Sequence, residues 1–182
     1  MRLPVPAAAS RGVTLIELMI TIAIGIILAL MALPMYSSWI ASQQVRTAAE
    51  SVYEGIRVAQ TEAVRRNTPV SFVVDASKGW QVLLVSDSSV IREALLVEGS
   101  PKVALTIAPV GTTTLIFDGL GRALDDAQAP LASRVTIDVD TTTSFDNVRS
   151  QRVVVDTAAA TGVGIRTCDP KISGPDPRAC PS

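Results

Sequence analysis

The chain has 182 residues, 48% of them hydrophobic, with a formal net charge of −1 and a mean hydropathy of +0.37. That length suffices for one domain, and the hydropathy is high for a wholly soluble chain, so part of the apolar content belongs in a membrane segment. The charge balance offers no general attraction to nucleic acid or anionic lipid. With no histidine, no nucleophile motif, no phosphate-binding loop and no cysteine cluster suited to zinc, the chain does not read as an enzyme and implies no cofactor.

Arg2 and Arg11 are the cations of the first segment, Gly12 follows, and then come Val13, Thr14, Leu15, Ile16, Glu17 and Leu18; from Leu18 to Val45 no residue is charged. As a helix that stretch is long enough to span a bilayer core of ~30 Å. An ordinary secretory signal places its apolar region before a small-residue cleavage site. Here any cleavage point lies before the apolar region. The basic leader stays cytoplasmic by the positive-inside tendency, so the expected topology is N-terminus in and C-terminus out. Losing Arg2 and Arg11 with a leader would leave 14 of the 16 basic residues against 17 acidic ones.

The run Gly12-Val13-Thr14-Leu15-Ile16-Glu17-Leu18-Met19 closely resembles the class III prepilin signal of type IV pilins and type II secretion pseudopilins, with Val13 where that family usually has Phe. The resemblance implies cleavage after Gly12 by a prepilin peptidase and N-methylation of Val13. It also implies that Glu17 pairs with the terminal amine of a neighbouring subunit. A carboxylate at the head of an apolar span is costly unless it reaches the interface or meets a cation. A neighbour's amine supplies that cation, and headgroup depth in an ordinary anchor is the other reading. Pro34 removes a backbone hydrogen bond inside the span, so a kink near residues 30–34 is expected; a tolerated membrane-helix proline is the alternative. The resemblance adds that the segment before such a proline partly melts when a subunit moves from bilayer to filament.

Past the span, Val45, Ala49, Val52, Ile56, Ala59 and Ala63 recur at alternating steps of four and three, which marks one apolar helix face. Arg65 and Arg66 in the last turn and Pro69 beyond them predict the stop. From about Thr14 to Arg66 such a helix is roughly 80 Å long. The period then shortens to strands, predicted over Val70–Asp75, Trp80–Val85, Ile91–Val97, Val103–Ile107, Leu115–Phe117, Arg134–Val139, Arg152–Val155 and Gly162–Arg166. Turn residues separate them at 75–79, 86–89, Asp118-Gly119 and Asp146-Asn147. The expected fold is α+β and pilin-like, with antiparallel sheets packed on the second half of the helix. Its expected divisions are a leader over 1–12, a membrane or filament-core half-helix over 13–40, an amphipathic half over 41–68 and a β-rich head over 69–182.

The helix ending Glu62-Ala63-Val64-Arg65-Arg66 and the later Phe117-Asp118-Gly119-Leu120-Gly121-Arg122-Ala123 resemble the GspH/FimT family of minor pilins and pseudopilins. Gly119 and Gly121 lack the third glycine of a dinucleotide loop and read as a β-turn. Cys168 and Cys180, the only cysteines, close a proline-rich loop. In an exported chain they read as a disulfide, either a staple for the sheet or a loop stapled because it touches a partner. Asp138 and Asp140 share a strand face and Asp125 adjoins Asp126; these are oxygen donors of the kind calcium takes, but the reading adopted is a solvated face with no metal.

Some FimT members take part in DNA uptake through a C-terminal Gly-Arg-x-Arg motif. Aligned on Arg166, this chain has Gly164 and Val163 at the first arginine and the glycine. Arg149, Arg166, Lys171 and Arg178 are the cations a fold would have to gather for DNA contact. The leading expectation is a minor pilin acting in pilus initiation or a tip complex. Its partners would be other pilins, the prepilin peptidase and an inner-membrane assembly platform. A type II secretion minor pseudopilin is the first alternative and a pilus-tip DNA-binding protein the second.

Overall fold

The structure is a computed structural model and describes residues 12–75, 78–131, 133–143, 148–157 and 163–181, without the side chains of Pro34, Leu96 and Val97. The leader expected before Gly12 and the turn expected at Asp146-Asn147 lie outside the described residues. The chain separates into two compact units, one ending at Ser37 and one beginning at Ser38.

Helix α1 runs over Leu15–Arg66 and belongs to both. Its start is capped: Thr14 Oγ1 accepts the Glu17 N–H at 3.3 Å, and the Thr14 carbonyl accepts the Leu18 N–H. That is the N-cap geometry expected of a Thr-x-x-Glu spacing. In the first unit every described side chain from Val13 to Ser37 is exposed. The stretch has a mean hydropathy of 2.6 over its most apolar 18 residues and is long enough to cross a membrane.

In the second unit the stripe read from the sequence is the buried face. Val45, Val52, Ile56, Ala59 and Ala63 are fully enclosed, Ala41, Ala48 and Ala49 nearly so, while Arg46, Glu50, Glu54 and Arg57 face solvent. The helix ends in a paired-bond cap: the Asn67 N–H reaches the Val64 carbonyl and the Thr68 N–H the Ala63 carbonyl, with Asn67 at φ 50. Asparagine takes the left-handed position that usually falls to glycine. Arg65 and Arg66 both bond Glu62, whose carboxyl those guanidinium hydrogen bonds hold down to about 2.

Among the described residues nine strands form two antiparallel sheets. The first contains β1 (Val70–Asp75), β2 (Gly79–Leu84), β3 (Val90–Leu95), β5 (Thr114–Phe117) and β6 (Ala123–Leu124) in the order β3-β2-β1-β5-β6. The second contains β4 (Val103–Ala108), β7 (Val135–Thr141), β8 (Gln151–Asp156) and β9 (Gly164–Cys168) in that order. Alternation decides which faces turn inward. Val70, Phe72 and Val74 of β1 pair with Leu84, Val82 and Trp80 of β2, while Val135 and Ile137 of β7 pair with Val155 and Val153 of β8. The buried rows of both sheets share one core with the α1 stripe.

The structure corrects three boundaries. The strand expected to Val97 ends at Leu95, and Leu96–Gly99 is a short helix, α2. Leu95 lies opposite Gly79, the first residue of β2, so among the described residues the β2–β3 ladder ends there. The last strand is displaced to Gly164–Cys168, in the register that sets Cys168 opposite Arg152. Strand β6 was not expected; its two residues are too short to show a period. It forms because the turn at Asp118 brings Ala123 against Phe117.

Candidate functional site

The expected processing junction and the apolar helix lie together in the first unit. Gly12 lies in open space, and Val13, Leu15, Ile16, Leu18, Met19 and Ile20 are each more than half exposed. Exposure on all sides of a helix this apolar demands lipid or other apolar helices around it. Glu17 is the single acidic or basic side chain of the stretch, and among the described residues its carboxyl group has no partner.

The head carries two built features. In the first, Asp118 ties the β5–β6 turn, accepting the N–H groups of Leu120 and Arg122 and the Arg122 guanidinium. Burial pushes the Asp118 carboxyl up, but these hydrogen bonds outweigh it and leave it below the ordinary aspartate value. Gln60 of α1 donates to the Gly121 carbonyl at 3.1 Å, and Gly119 sits where a Cβ would run into Asn67. The turn is thereby fastened to the end of the helix.

The second feature is the C-terminal loop, closed by a Cys168–Cys180 disulfide. The Asp169 N–H bonds the Arg178 carbonyl, and buried Asp169 accepts the Lys171 N–H. Arg178 forks onto Asp176, whose carboxyl that bond lowers to about 2. Beside this loop are cavities of about 320, 250 and 270 Å³ that share Gln151 as a lining residue. Of the cations considered for nucleic acid, Arg149 and Arg178 line the same cavity. Arg166 does not join them: Thr167 next to it lines the cavities, and consecutive strand residues point to opposite faces. Lys171 lies in the turn from Asp169 to Ile172. Asp138 is bonded by the Arg152 guanidinium, and among the described residues no group of three metal-ligating side chains comes together.

A family model described as "Type II transport protein GspH" matches residues 48–159. The chain is a member of the GspH family. A second model, the prokaryotic N-terminal methylation motif, matches residues 8–33. Among solved structures the chain resembles the type IV minor pilin FimU of Pseudomonas aeruginosa in two crystal forms. One gives a TM-score of 0.53 at 14% identity over 71% of this chain and 94% of that one. The other gives 0.51 at 16% identity over 69% and 97%. The minor pseudopilin EpsH of the Vibrio cholerae type 2 secretion system matches at a TM-score of 0.50 and 14% identity, over 71% and 99%. These likenesses establish a pilin-like fold. No curated protein matches the chain.

In this GspH-family chain two contributors escaped the sequence reading. Thr14 was legible in the Thr-x-x-Glu spacing as a helix cap. Arg46, which lines two of the three cavities, was not: its neighbours there lie about a hundred residues along the chain, and no local period reports that proximity. The disulfide supports a definite expectation. Joint replacement of Cys168 and Cys180 by serine costs ~3 kcal/mol in the chain-entropy account of a loop this size. Chemical denaturation of the intact protein in detergent measures it; an unchanged midpoint would show that the loop's hydrogen bonds suffice alone.

Proposed function

We propose that the chain is a minor pilin subunit of a type IV pilus, working by assembly and not by catalysis. It sits in the inner membrane as a single-pass protein with a cytoplasmic leader and a periplasmic head. It then enters an initiation or tip complex through packing of its apolar helix and lateral contacts of the head. The observation that carries this is the exposed apolar first half of helix α1, within a match to the N-terminal methylation motif and bearing one carboxyl group at Glu17. Its partners are the prepilin peptidase, the assembly platform and other pilins. The second reading, a minor pseudopilin of type II secretion, draws on the description of the family model and the likeness to EpsH.

Mass spectrometry of pili sheared from cells tests the choice. Recovery of the subunit with a methylated Val13 at its terminus is the expected result. Recovery only with secretion-system pseudopilins would overturn it in favour of the second reading. Gly12→Val is expected to stop processing altogether, because a branched side chain crowds the scissile backbone where glycine leaves it bare. An immunoblot showing the normal mature size would count against the junction.

A further inference from the structure

Arg46 of α1, Arg149 ahead of β8 and Arg178 of the stapled loop surround Gln151, and each pair of these arginines lines one of the three adjoining cavities. All three arginine side chains are largely exposed, at 72%, 66% and 66%. Their acids are arranged differently. Asp169 is almost enclosed at 6% and Asp176 is recessed at 29%, while Glu50 stands exposed at 61% beside Arg46, so around Arg149 and Arg178 the mouth of the groove presents cations more than acids.

The arginines also keep donors in hand. Arg46 bonds Glu50 only through Nε, an exposed pair within one helix of small worth. Arg149 stands 4.0 Å from Asp169, beyond hydrogen-bond reach. Arg178 is better held, yet its fork on Asp176 uses Nε and Nη2 alone.

We infer that this groove seats carboxylate side chains from an extended segment of a neighbouring subunit; the inference rests on the reading of the chain as an assembly subunit. Arginine forks match carboxylates in a two-point geometry. Gln151 and Thr167 add neutral hydrogen-bonding groups, and β9 is the last strand of its sheet, an edge along which an extended segment can lie. A polyphosphate is disfavoured. Its binding draws on uncompensated clustered cations, whereas Glu50, Asp169 and Asp176 match the three arginines in number. One or two carboxylates need no surplus charge, only oriented donors.

Photo-crosslinking in cells that assemble the full-length chain tests this. One version carries the photoreactive residue in place of Thr167 and a control carries it in place of Leu28 on the apolar helix. The Thr167 probe is expected to join another subunit at a segment bearing Asp or Glu. The yield is expected to fall about tenfold when Arg149→Glu and Arg178→Glu are combined. Arg46→Glu, on an exposed helix face, is expected to lower it as well and does not disturb the stapled loop. A Leu28 adduct without a Thr167 adduct would overturn the proposal and leave the assembly reading standing. An adduct in a segment without acidic residues, or recovery of nucleic acid in place of protein, would also overturn it. Absence of both adducts would remove the assembly reading and this proposal together.

Discussion

Gly55→Leu is expected to unfold the head. A Cβ built on Gly55 would lie 2.8 Å from ring atoms of both Phe72 and Trp80, and the two rings pack with centroids 5.7 Å apart. Neither is free to retreat. Phe72 is fully buried in β1, and the Trp80 indole N–H donates to Ser51 Oγ at 3.0 Å, one helical turn before Gly55. Alanine at a helical glycine ordinarily gains up to ~1 kcal/mol of helix propensity. Here overpacking reverses that sign, and Gly55→Ala is expected to lose ~1–3 kcal/mol. Leucine adds three more heavy atoms to the same space and should exceed ~4 kcal/mol. The readout is the thermal or urea midpoint of the intact protein in detergent. Gly25→Ala serves as the control, since nothing lies within 4 Å of that position. Equal midpoints for Gly55→Ala and Gly25→Ala would mean that the rings yield.

Glu17→Leu is expected to insert into the membrane as well as the parent, because it makes the span more apolar, and to be nearly lost from filaments. The proposed cause is attraction between the carboxylate and a neighbour's terminal amine where water screens poorly. At an intermediate effective dielectric that attraction reaches ~4 kcal/mol, with desolvation offsetting part of it. Co-purification with the other minor pilins, normalised to equal membrane levels, separates anchoring from assembly. Equal recovery of the leucine variant would leave Glu17 as an interfacial residue.

Most of the fold was legible because its elements are long or strictly alternating. The α1 stripe repeats over six positions from Val45 to Ala63, and a single misplaced residue would have shown. Strand β7 alternates Val135, Ile137 and Val139 against Thr136, Asp138 and Asp140, which leaves one choice of buried face. The misses have separate causes. Whether Leu96 continues β3 depends on where β2 begins, and whether Ala123 joins a sheet depends on a turn tied by Asp118. The first is decided by a partner outside the local window; the second is local, but two residues are too few to show a period. The candidate site divides in the same way: Gly12, Val13 and Glu17 stand in one contiguous motif, whereas the groove around Gln151 is assembled from three stretches of chain.

The first core residue of the second unit is Ala41; no described residue before it is buried. The head's stability is therefore insensitive to what surrounds the apolar stretch up to Ser37. Exchanging lipid for protein around that stretch changes the solvent of one unit without repacking the other. On the proposed reading a subunit built this way enters an assembly with its core already formed, and the part of the transfer free energy that comes from a change of solvent falls on the apolar stretch, with the head adding only surface contacts.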